Sequence, residues 1–119
     1  MKRLIDAFLN SMRAGRFLIR NEAAFRQEIA LLIVAIIAGW FVALSWAGYV
    51  LLVAVMVVLV LVEVLNTGIE AACNAISREF DADIRLAKDC GSLAVLLAII
   101  LAGGVWLLAL VERIAGAPL

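Results

Sequence analysis

The chain has no histidine, one proline, two cysteines and charged residues at only 17% of its positions. Without histidine, and with Cys73 and Cys90 forming no C-x-x-C pair, a zinc site built from nitrogen and sulfur ligands is excluded. The two cysteines are read as ordinary reduced thiols. No G-x-x-x-x-G-K-[ST] or G-x-G-x-x-G segment occurs, so any nucleotide is held without a soluble kinase's phosphate loop. Nothing resembles a nucleic-acid-binding motif either. What remains is apolar: 67% of 119 residues are hydrophobic, far above a soluble domain.

These apolar residues fall into three runs, Ile29 to Trp46, Tyr49 to about Leu65, and Cys90 to Val111. Each approaches the ~20 helical residues needed to cross a ~30 Å hydrocarbon layer. The first starts too late and runs too long for the apolar core of a cleaved signal peptide, and reads as retained. Only Ala47-Gly48 separates the first two runs, predicting a tight antiparallel hairpin. Six of the ten basic residues (Lys2, Arg3, Arg13, Arg16, Arg20 and Arg26) precede the first run, and Arg78, Arg85 and Lys88 lie between the second and third. The excess of basic residues places segments 1–28 and 66–89 in the cytoplasm and the C-terminus outside. Trp40, Trp46, Tyr49 and Trp106 are candidate interfacial anchors, with Trp40 and Trp106 alternatively packing between helices. Leu4, Ile5, Phe8, Leu9 and Met12 recur at helical spacing opposite Arg3, Asp6, Asn10 and Arg13, which predicts an amphipathic surface helix over residues 2–14. Gly15 is expected to break it before a further helical turn leads into Asn21-Glu22. The expected fold is therefore an all-α integral membrane domain of three transmembrane helices and an N-terminal surface helix.

The second run ends abnormally. Glu63, Asn66, Thr67 and Glu70 lie at about 0°, 300°, 40° and 340° around a continuous helix, which puts two carboxylates and an amide on one stripe. Counting from Tyr49, Glu63 lies roughly 21 Å along the helix, at the inner edge of the hydrocarbon, and Glu70 roughly 10 Å beyond it. Charges at span ends commonly snorkel to water, and Arg26 and Arg113 suit that reading. Glu63, short and flanked by Val62, Val64 and Leu65, does not, and an ionisable residue so placed is a functional candidate. Glu22, Arg26, Glu28, Lys88 and Asp89 are expected to complete a ring at this level, with Ser92 one turn above Asp89. Carboxylates suit Mg²⁺ alongside phosphate oxygens, and a lysine suits phosphate as a point charge. An ion or proton path, or helix association through buried acids, are the competing readings.

Three segments, Asn21-Glu22-Ala23-Ala24-Phe25-Arg26-Gln27-Glu28, Val62-Glu63-Val64-Leu65-Asn66-Thr67-Gly68-Ile69-Glu70-Ala71 and Ala87-Lys88-Asp89-Cys90-Gly91-Ser92, resemble the signatures of the prokaryotic diacylglycerol kinases. The first is closer in style to the Gram-negative branch than to the undecaprenol kinases. The resemblance implies a homotrimer in the bacterial inner membrane, with active sites shared between subunits, that phosphorylates diacylglycerol from MgATP. It implies Glu63 as general base and Glu22 and Glu70 as magnesium ligands. Nucleotide contacts are implied at Arg3, Asn10, Glu22, Asn66, Glu70, Glu79, Phe80, Asp81, Lys88 and Asp89. Lipid contacts are implied at Arg3, Ala24, Phe25, Arg26, Gln27, Glu28, Tyr49, Glu63 and Ser92. The chain departs from the pattern at Asn74, where an acid is common, at Arg85-Leu86, and at Asp6.

Overall fold

The computed structural model describes residues 1–77 and 79–116, and Arg78, in the interhelical loop, lies outside them. Four helices follow one another: α1 (Lys2–Asn21), α2 (Ala23–Val42), α3 (Trp46–Ile76) and α4 (Ala82–Ala115). No strand occurs among the described residues. Helices α2, α3 and α4 are each long and apolar enough to cross a membrane. Their outward faces carry large exposed side chains such as Ile37, Val50, Leu61 and Ile100. Such faces are stable against lipid and costly against water. This is a helical membrane protein.

Helix α1 corrects the expected break at Gly15: it runs without interruption from Lys2 to Asn21. A single interior glycine costs a helix only ~1 kcal/mol, and this one keeps an ordinary negative φ. The chain turns instead at Glu22, whose extended backbone (φ −117°, ψ 108°) ends α1 and starts α2. Arg26 Nη1 folds back to Ile19 O, 3.0 Å, satisfying a carbonyl of the last turn, and Asn21 Nδ2 adds a bond to Phe17 O at 2.9 Å. Arg26 is thus engaged by the turn it follows. The apolar residues Leu4, Phe8 and Met12 remain exposed, as a helix lying on a lipid surface requires.

A second correction concerns the hairpin. The turn falls at Ala43–Ser45, before Trp46, rather than at Ala47-Gly48. Ser45 caps α3, its Oγ accepting from Gly48 N at 3.0 Å, so Ala47 and Gly48 belong to the first turn of that helix. Tyr49 OH then donates to Ile36 O at 2.7 Å and clamps α3 to α2. Its ring packs edge-on against Trp40 and Trp46, with centroids 5.7 and 6.1 Å away. Trp106 takes the inter-helix role, its Nε1 donating to Leu52 O at 3.1 Å.

The core is thin and central. Val55, Met56 and Leu59 of α3 meet Ala35 of α2 and Ala98 and Ala102 of α4. Alanines at these crossings let both neighbours approach α3 closely, which drives association where water exclusion cannot. Helices α2 and α4 each pack mainly on α3 and hardly touch one another. A long groove therefore opens between them, floored by α3.

Candidate active site at the Glu63 end of the bundle

Helix α3 is continuous through Glu63, Asn66 and Glu70, so the expected stripe exists. It continues the face that buries Leu52, Val55, Met56 and Leu59, which turns Glu63 inward; Cys73, one turn past Glu70, is buried on the same face. Glu63 is 7% exposed and Glu28 of α2 is 8% exposed, and these are the buried charged side chains among the described residues. Both line the groove between α2 and α4, together with Ala24 and Gln27. Glu28 Oε2 has no hydrogen-bond partner. Electrostatic repulsion links Glu63 to Glu28, Glu22 and Glu70. Two buried carboxylates, with Glu22 and Glu70 half-buried near Glu63, call for a cation or a proton donor.

Asn66 faces the backbone of Gly91 on α4, and its Oδ1 is buried without a partner. A Cβ at residue 91 would collide with that oxygen and stand 3.2 Å from Asn66 Cγ. A side chain at residue 91 would therefore have to push the Asn66 amide aside at this α3–α4 contact. Farther along α3, Asn74 Oδ1 accepts from Lys88 Nζ at 2.8 Å. Lys88 in turn borders a second cavity of about 460 Å³ with Glu79, Phe80, Asp81 and Asp89. Asp81 caps α4, accepting from Asp83 N and Ile84 N at 2.9 and 3.2 Å, while Asp89 pairs with Arg85 at 3.5 Å.

The ring expected from sequence thus resolves into two neighbouring groups. Glu28 and Glu63 share the groove's polar end, with Glu22 and Glu70 near enough to Glu63 to repel it; Asn66 lies against Gly91, and Glu79, Phe80, Asp81, Lys88 and Asp89 line the cavity beside the α3–α4 loop. Phe25 is buried and Arg26 exposed on α2 beside the first group, and Ser92 is exposed on α4 next to Gly91. Tyr49 lies at the opposite end of α3, roughly 21 Å from Glu63. Arg3 and Asn10 are exposed on α1, roughly 28 and 18 Å along the helix from Glu22. No hydrogen bond or ion pair among the described residues joins them to either group.

Three features escaped the sequence reading: the facing of Glu28 and Glu63, the Asn66–Gly91 approach and the Asn74–Lys88 bond. Glu28 was legible in principle, because it stands seven residues before Ala35 on the same helical stripe. Among the described residues, no three acids or cysteines come close enough to form a ready-made metal chelate. The donor set still fits Mg²⁺, which takes one or two carboxylates and completes its shell with phosphate and water.

A membrane-spanning helix bundle with a half-buried acidic site is the class defined by this fold and geometry. The family model for prokaryotic diacylglycerol kinase matches residues 9–110. The diacylglycerol kinase of Escherichia coli (strain K12) is 42% identical over 105 residues, covering 87% of this chain and 85% of that protein. That of Pseudomonas aeruginosa is 33% identical over 106 residues, covering 89% and 86%. That of Helicobacter pylori is 33% identical over 105 residues, covering 88% and 82%. The chain belongs to the prokaryotic diacylglycerol kinase family.

Proposed function

We propose that the protein is a diacylglycerol kinase, transferring the γ-phosphate of ATP to the free hydroxyl of diacylglycerol and releasing phosphatidic acid and ADP. One observation carries the reading: two buried carboxylates, Glu63 and Glu28, stand at the polar end of an otherwise apolar groove. An amphiphile with one hydroxyl and apolar tails matches that groove at both ends.

In this reading Glu63 accepts the hydroxyl proton as the oxygen bonds to the γ-phosphorus and the bond to the bridging oxygen of ADP breaks. The apolar wall of the groove excludes competing water. Glu22 and Glu70 would hold Mg²⁺, which when bound neutralises the triphosphate. Lys88 contributes a point charge to phosphate, and Asn66 orients the nucleotide through its amide nitrogen. Glu79, Phe80, Asp81 and Asp89 face the nucleotide. Ala24, Phe25, Arg26, Gln27, Glu28, Tyr49 and Ser92 face lipid.

Arg3 and Asn10 lie roughly 28 and 18 Å along α1 from Glu22. Their assignment supports a homotrimer in which a neighbour's α1 covers the site. The basic N-terminal segment and the α3–α4 loop lie on the cytoplasmic side of the inner membrane, with the C-terminus periplasmic.

A panel of lipid alcohols offered with MgATP tests the function. Phosphorylation of diacylglycerol in preference to undecaprenol is expected. Preferential phosphorylation of undecaprenol, or ion flux in proteoliposomes without ATP turnover, would replace this reading.

A further inference from the structure

We propose that Trp106 sets how long an acyl chain the site admits, an inference that rests on the diacylglycerol kinase reading. The groove has a volume of about 580 Å³. It begins at Gln27, Glu28 and Glu63, continues past Leu31, Val34 and Ile99, and ends at Ala38 and Trp106. From Glu28 to Ala38 it extends roughly 15 Å along α2. That is half of a ~30 Å hydrocarbon core, the depth of one leaflet. An acyl chain entering from the leaflet next to the acids therefore lies along the groove for its own natural depth.

The occupant is a lipid chain because of what stands at the groove's polar end. Glu28 Oε2 is buried, without a partner, on the groove wall. It requires a hydrogen-bond donor, and a diacylglycerol sets its single hydroxyl at this carboxylate end, between Glu28 and Glu63, with the apolar tail filling the remainder. The groove is also continuous with Glu63, the base of the proposed reaction.

Trp106 closes the far end by touching all three helices. It belongs to α4, its Nε1 donates to Leu52 O of α3 at 3.1 Å, and its Cη2 stands 3.7 Å from where a Cβ on Gly39 of α2 would be. The indole is therefore fixed, and it cannot swing away without losing its hydrogen bond. A chain that outruns it must bend out between α2 and α4, while a short one leaves groove walls without contacts. Gly103 lies one turn before Trp106 and lines the same groove, and a Cβ added there meets open space within 4 Å. The end wall and a position one turn inside it can thus be changed in opposite directions.

Phosphorylation rates are measured for the full-length protein, in mixed micelles, with diacylglycerols graded from hexanoyl to stearoyl. Trp106→Ala is expected to raise the stearoyl-to-octanoyl rate ratio by about three- to tenfold, and Gly103→Leu to lower it similarly. Trp106→Phe, which keeps most of the wall, should retain the wild-type profile. Superimposable profiles in the wild type, Trp106→Ala and Gly103→Leu would overturn the proposal, as they would if a second copy's helix filled the groove. Absence of any diacylglycerol phosphorylation by the wild type would instead overturn the kinase reading. Should Trp106→Ala and Gly103→Leu both lack turnover, fluorescence decides, in a chain whose Trp40 and Trp46 are replaced by Phe. Diacylglycerol brominated at the chain end must then quench Trp106 more than diacylglycerol brominated beside the ester; equal or reversed quenching overturns the proposal.

Discussion

The two ends of α3 meet the membrane boundary in opposite ways. At the Tyr49 end, polar groups are spent on structure: Tyr49 OH reaches Ile36 O, Ser45 caps the helix, and Trp106 Nε1 reaches Leu52 O. At the Glu63 end, Glu28 Oε2 and Asn66 Oδ1 are buried with no partner. Both ends flank the same core. The difference teaches that unsatisfied polarity, together with charge, separates the end proposed for chemistry from the anchored one. Each orphaned oxygen costs stability, and such a cost persists where a ligand is to be bound.

The contrast can be broken or sharpened by substitution. The largest stability effect is expected at Gly91→Val, which drives a side chain into Asn66 at the α3–α4 contact. A loss of about 1–3 kcal/mol in reversible unfolding, with turnover abolished, is predicted. At the opposite end, Ser45→Ala removes the α3 cap and should cost about 1 kcal/mol while turnover persists. Tyr49→Phe deletes the hydroxyl bonded to Ile36 O, and calorimetry should record a loss near the ~0.6 kcal/mol typical of inter-helix hydrogen bonds in membranes. Gly15→Ala carries the smallest effect and the opposite sign. With open space around it inside a continuous α1, it should stabilise that helix by about 0.5 kcal/mol, whereas a broken helix at Gly15 would gain nothing.

Much of this architecture was legible in sequence because lipid imposes simple rules. Apolar run length gave the three spanning helices, and the 100° periodicity gave the exposed face of α1 and the Glu63–Glu70 stripe. Boundaries were less legible where a cap competes with hydropathy. Ala47 and Gly48 are a weak turn signal beside Ser45, whose hydroxyl fixes the true start of α3. Gly15 misled for a related reason, because one glycine lowers helix propensity without ending a helix that a membrane surface supports. Glu28 facing Glu63, and Asn66 lodged against Gly91, depend on which faces of separate helices meet. A periodic pattern marks the buried stripe of each helix, but their relative rotation is fixed by packing of the Ala35, Ala98 and Ala102 crossings.

The central claim, that the Glu63 end performs the chemistry, is tested most directly by one comparison. Transfer of radiolabelled phosphate from ATP to dioctanoylglycerol is measured for the wild type and for Glu63→Gln, which preserves shape and removes the basic carboxylate. The rate is predicted to fall by about 10²–10⁴-fold in Glu63→Gln with no loss of thermal stability. Transfer by Glu63→Gln at the wild-type rate would contradict the account.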